Sequence, residues 1–297
     1  MKTLLVKSLS SLALFALVFL ASCTDDSVKF NTEDSQNVEN EATTDSYFED
    51  ADDMATIAVA ADGSTASGAR ESSYGRQGIK PVDMRFNCAT ITFLFADNNS
   101  TTTPHGFITI DFGDGCTDAK GNVRKGKIIV EFTGKRFLPD SRIITTFQDY
   151  FINGVKIEGV RTVTNVTGSV EENPKFLIEV DNGKATWEDG TFATREVNRT
   201  REWIRANNPL EDQWIVDGTA AGTNRNGKTY QVEITKALVY KRECAISAKV
   251  FIAVEGTKVL SIDNKVITID YGMGECDRVV TITINGQSKD VTVRGDI

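Results

Sequence analysis

Histidine is almost missing from this chain: His105 is the single one in 297 residues, in a polar, threonine-rich stretch. Histidine-based catalytic triads and histidine metal sites are thereby all but excluded. No nucleophile elbow, phosphate-cradling glycine loop, cofactor-binding motif or Cys/His metal spacing occurs either. The enzyme arrangement left open is a pair of catalytic carboxylates, since its two acids need not be close in sequence. A basic excess is lacking too. Residues 24–63 carry twelve Asp and Glu against one Lys, and residues 64–297 carry thirty charges of each sign. The acidity thus belongs to the N-terminal stretch, and the neutral remainder offers neither a nucleic-acid footprint nor a polybasic membrane patch. The apolar stretch over residues 9–20 falls short of the roughly 20 residues that a spanning helix needs.

That stretch is instead the length of a secretory core. Lys2 and Lys7 precede it, and Leu20-Ala21-Ser22-Cys23 closes it. Small residues before a cysteine resemble the lipobox of bacterial lipoproteins. The resemblance implies that residues 1–22 are a signal peptide and that Cys23 becomes the acylated (palmitate-type) N-terminus, a membrane anchor needing no protein span. Cys23-Thr24-Asp25-Asp26 is similar to the acidic signal that sends lipoproteins of the Bacteroidota to the outer cell surface, with display on the periplasmic face as the alternative.

Residues 23–80 are poor in large apolar side chains and rich in Ser, Thr, Asp and Glu, with a Gly/Ser-rich end. This composition predicts a disordered, flexible tether, with a marginal helix over residues 48–60. From residue 81 the pattern changes to short β-branched runs with period-two alternation: 127–132, 232–234, 250–254 and 280–284. Asn153-Gly154, Asn182-Gly183, Asp189-Gly190, Asp217-Gly218, Asn226-Gly227 and Asn285-Gly286 read as tight turns between strands. Residues 81–297 are therefore expected to form a single all-β domain, an antiparallel hairpin-built sheet arranged as a sandwich, an open barrel or an extended meander. An internal repeat supports one continuous unit: residues 108–115 (ITIDFGDG) match 267–274 (ITIDYGMG), each bracketed by cysteines. The arrangement resembles uncharacterised lipoproteins of Bacteroidota, a resemblance that implies no activity.

The four cysteines of the body admit three pairings. Hairpins centred on Thr102 (strands 89–95 and 108–114) and on Leu260 (strands 246–254 and 266–274) would join Cys88 to Cys116 and Cys244 to Cys276. Each bond closes a loop of about 30 residues, worth roughly 3–4 kcal/mol in the chain-entropy account. Four free thiols are the alternative.

Three groups of residues are candidates for ligands. Asp111, Asp114 and Asp118 surround a glycine turn and are weak candidates for a hard cation. Trp187, Trp203 and Trp214, with Tyr150 and Phe192, could form an aromatic platform for a sugar. Arg195, Arg199, Arg201 and Arg205 could capture an anion, Arg199 and Arg201 sharing one strand face, or be neutralised by Glu188, Asp189, Glu196 and Glu202. The leading expectation is a non-enzymatic, lipid-anchored envelope or surface β-domain for binding or adhesion, its partner an extracellular glycan or protein; a glycan-binding accessory lipoprotein and then a carboxylate-based hydrolase are the alternatives.

Cys23→Ser is expected to leave the chain unprocessed or soluble. Detergent phase partitioning checks this, and unchanged partitioning would remove the lipobox reading.

Overall fold

The computed structural model describes residues 32–61, 76–77, 83–119 and 121–293. Cys23, the signal peptide and most of the Gly/Ser-rich segment lie outside these residues. The body is one antiparallel sheet in which strands follow one another in chain order. Its strands are β1 (Arg76–Gln77), β2 (Thr90–Phe95), β3 (His105–Asp111), β4 (Cys116–Thr117), β5 (Val123–Thr133), β6 (Arg142–Ile152), β7 (Val155–Asn165) and β8 (Lys175–Thr186). There follow β9 (Phe192–Ile204), β10 (Gln213–Thr223), β11 (Thr229–Lys241), β12 (Glu255–Ile262), β13 (Lys265–Met273), β14 (Val279–Ile284) and β15 (Gln287–Thr292). Only β4 stands off the path, pairing with β5. The strand order is that of a single up-and-down meander, and β1 and β15 at its two ends are not hydrogen-bonded to each other.

The expected tether requires correction over residues 32–61. They form a 30-residue helix, α1 (Thr32–Ala61), which contains the marginal helix expected at 48–60. Phe48, Ala51, Met54 and Ala55 are fully buried, and so, nearly, are Asp34, Glu41 and Thr44. Composition misled because the helix does not present a polar face to water. Its carboxylates are buried against cations of the sheet.

Those cations arise from strand alternation. On β9, Ala193, Arg195, Val197 and Arg199 are buried while Glu196 and Asn198 are exposed, so alternate residues face α1. Asp34 pairs with Lys265 of β13, and Glu41 with Lys258 of β12 (2.7 Å) and Arg195 (3.0 Å). Asp45 pairs with Arg195 (2.6 Å) and Arg199 (2.9 Å), and Glu49 with Arg161 of β7 and Arg201. Asp50 meets Arg124 of β5 (2.6 Å) and Arg85, which precedes β2 (3.1 Å). The helix therefore crosses the strands in the reverse of chain order. Its apolar end, Met54 to Val59, joins Phe86, Phe93, Ile108 and Ile128 in one core that also includes Ile267 and Ile282. Both ends of the sheet thus close on the same helix.

A long sheet must coil to do this, and bulges supply the coiling. Asn182-Gly183 and Asp217-Gly218, expected as turns, lie instead within β8 and β10 at breaks in strand register. The other four dipeptides do connect strands: 153–154, 189–190, 226–227 and 285–286. At Gly183 a Cβ would lie 2.5 Å from the Arg195 carbonyl oxygen and 3.0 Å from Cζ of Phe48. Glycine is required chiefly by the β9 backbone carbonyl, and Phe48 of α1 fills the remaining space.

Both expected disulfides are present, Cys88–Cys116 and Cys244–Cys276, with Cα separations of 5.9 and 4.9 Å. The first hairpin is near its expected register, Thr90 facing Asp111. The second is not: β12 and β13 turn at residues 263–264, and Leu260 lies mid-strand opposite Ile267. Residues 246–254 are not a strand. Cys244–Ala248 is a helical turn, and the buried Val250 and Val254 follow it. The repeat is retained in detail: Asp111 accepts from the Gly113 amide (2.8 Å) as Asp270 does from Gly272 (2.9 Å).

Arg195→Met is expected to cost about 3–5 kcal/mol, because it strands buried carboxylates, and adding Glu41→Gln and Asp45→Asn should recover part of it; urea unfolding checks both. Acid should loosen α1 as well. Burial alone would raise the Glu49 carboxyl, but Arg161 and Arg201 outweigh it and hold the group at about 2, below its ordinary 4.5. A depressed carboxyl stabilises fully above its unfolded pKa, so this contribution should be complete above pH 4.5 and lost as pH falls through 2. Helical circular dichroism unchanged down to pH 2 would contradict that coupling.

Candidate functional site: an aromatic mouth beside the helix

Strand alternation carries the helix-facing side past the ion pairs. Two residues after Arg201 comes Trp203, on the same face, opposite Trp214 of β10. The connection between them is held firmly: Asn208 accepts from the Leu210 amide (3.2 Å), and Asp212 accepts from the Ala206 amide (3.0 Å). The two indoles are stacked, with centroids 6.5 Å apart and planes within 10°. Phe137, from the loop after β5, extends the row with its ring centroid 5.6 Å from that of Trp203. It is 48% exposed, so the row opens to solvent rather than ending in the core.

The Phe137 loop is pinned through its backbone. The Arg136 carbonyl accepts from Ser141 Oγ (2.8 Å) and Asn165 Nδ2 (2.9 Å). The Arg136 guanidinium lies 5.3 Å from the Phe137 ring centre and 5.7 Å from that of Phe176. Among the described residues no carboxylate lies within ion-pair distance of it, and the residue is half-buried. Burial lowers its pKa; Asp52 pulls the other way, at longer range, and Arg201 opposes that pull. Trp203 Nε1 is buried with no hydrogen-bond partner among the described residues.

The other sequence candidates lie elsewhere. Trp187 is at the opposite end of β8 from the mouth, since β8 begins beside Trp203 and ends at Thr186. It borders a shallow cavity of about 260 Å³ with Asn153, Glu188 and Asp189, but Arg225 covers its ring at 4.4 Å and bonds Asp189 (2.6 Å). Arg199 and Arg201 are engaged by Asp45 and Glu49, so the expected neutralisation does occur, but the partners come from α1 rather than from neighbouring strand residues. Arg205 donates to the Glu172 carbonyl. Tyr150 is buried against Arg124, and Phe192 is exposed beneath Lys184. The Asp111, Asp114 and Asp118 group does not converge: Asp111 pairs with Lys127, the buried Asp118 pairs with Arg124, and no metal-holding group of three acids, cysteines or histidines occurs among the described residues. His105 contacts Glu131 (3.0 Å) and Asn98.

Sequence reasoning missed Arg136, Phe137 and Phe176. The one visible signal was Arg136-Phe137-Leu138 placed directly before Pro139, apolar side chains where a polar loop is ordinary. No protein-family model matches this chain, and searches among curated proteins and solved structures return no match.

Proposed function

We propose that this protein is a non-enzymatic, lipid-anchored β-domain of the outer envelope, displayed at the cell surface, that binds a glycan or protein through the Phe137–Trp203–Trp214 mouth. The observation that carries the reading is the open aromatic row, set among connections that expose Leu138, Val166, Leu210 and Phe251 at the same end of the strands. Apolar groups gathered on loops at one edge mark interaction surfaces. A glycan-binding accessory role is the specific form that aromatic rings favour.

Orientation supports it. α1 begins at the other end of the strands, where Asp34 meets Lys265 and Asn37 meets Asn224. Eight residues separate Cys23 from Thr32. They reach at most about 28 Å. An acyl group on Cys23 would thus hold the helix end of the domain near the lipid and point the mouth outward. This replaces a long tether by a short one.

A carboxylate hydrolase is less well supported. Glu41, Asp45, Glu49, Asp111, Asp189 and Glu275 all have lowered pKa values, the reverse of what a general acid needs. A depression of about 490 Å³ is lined by Glu179, Asp181, Glu196 and Glu233, the carboxylates a hydrolase reading would draw on.

A membrane-impermeant amine reagent added to intact cells is expected to label the body's lysines. Labelling only after lysis would place the domain in the periplasm and remove surface display.

A further inference from the structure

We infer that the mouth recognises a sugar bearing a carboxylate, as part of an acidic polysaccharide. The inference rests on the reading of the mouth as a binding surface and adds the chemistry of the ligand.

Arg136 is the decisive residue. Every other arginine on the helix-facing side is matched by carboxylates of α1: Arg85, Arg124, Arg161, Arg195, Arg199 and Arg201. Arg136, half-buried, is flanked by Phe137 and Phe176 and has no carboxylate within ion-pair distance among the described residues. A guanidinium held against apolar rings loses hydration and gains most from a planar, bidentate anion. Trp203 Nε1 is a second donor without an acceptor. Beside these donors lie the rings of Phe137 and Trp214, which suit the C–H face of a pyranose. A sugar carboxylate brings the apolar face and the anion in one residue.

A neutral sugar would leave the guanidinium unmatched. An extended peptide would be expected to pair with a free strand edge, and the edges of this sheet are β1 and β15, not β9 and β10. A free anion would make no use of the rings.

The test is titration of the full chain, purified in detergent, with galacturonate, glucuronate and sialate oligosaccharides, their methyl esters, a neutral oligosaccharide and dextran sulfate, followed by tryptophan fluorescence. At least one acidic sugar should bind, and its methyl ester should bind about tenfold more weakly or worse, as loss of a charged hydrogen bond requires. Arg136→Gln should abolish the preference for acid over ester, and Arg136→Lys should restore part of it. Trp214→Ala should weaken acid and ester alike. Melting curves confirm that each variant is folded. Equal binding of acid and ester, lost in Trp214→Ala, would overturn the inference while leaving the mouth as a binding surface. Dextran sulfate matching the sugars would reduce the site to charge alone and overturn it too. No binding by any sugar would overturn the inference and the glycan form of the proposed function, leaving a protein as the ligand of the mouth.

Discussion

Glu41 lies within 3.0 Å of both Lys258 of β12 and Arg195 of β9, with all three side chains nearly inaccessible to water. Taking those charges out of water costs several kcal/mol per ion, and only close pairing with further hydrogen bonds offsets that. The ladder from Asp34 to Asp52 meets the condition in part, by sharing: Asp45 serves two arginines and Arg161 two carboxylates, while Asp52 Oδ1, Arg161 Nε, Arg195 Nη2 and Arg199 Nε stay buried without a hydrogen bond among the described residues. Such a ladder gives register more than raw stability. A helix shifted by one turn would leave buried charge unmatched, so the ions fix where α1 lies while Phe48 and Met54 supply the apolar burial.

The position of α1 determines the rest. The sheet bends around the helix at its bulges, and Gly183 lets the β9 backbone at Arg195 approach closely, with Phe48 of α1 packed beside it. Where α1 moves off the helix-facing side, alternate strand positions change from arginine to aromatic, Arg201 giving way to Trp203. The rings border the ion-pair ladder at the end where it meets solvent. The same placement leaves Arg136 as the cation for which the helix supplies no close partner.

Much of the sheet was readable from local chemistry. Alternation in residues 127–132 and 280–284 marks β5 and β14, Asn153-Gly154 marks the turn between β6 and β7, and Asn285-Gly286 the turn after β14, because these signals act over a few residues. Asn182-Gly183 has the same local chemistry as those turns but forms a bulge in the pairing of β8 with β9, a difference set by tertiary strand pairing rather than by the dipeptide. The disulfide pairing emerged correctly, while the second hairpin does not turn where expected; the cysteines are brought together by the turn Cys244–Ala248 rather than by strand register. α1 itself was hidden because its acidic residues resemble those of a solvated chain, and their partners, Arg124 to Lys265, are scattered over five strands. For the mouth, the two tryptophans were visible, but Arg136 and Phe137 reach them only through the fold.

The central claim is that α1 belongs to the core. Hydrogen exchange of the intact chain at neutral pH measures this most directly. The account predicts that backbone amides of residues 41–59 exchange as slowly as those of β9, because opening either exposes the same buried charges. Exchange of residues 41–59 within seconds, with β9 still protected, would show a helix that merely rests on a self-sufficient sheet and would contradict the account.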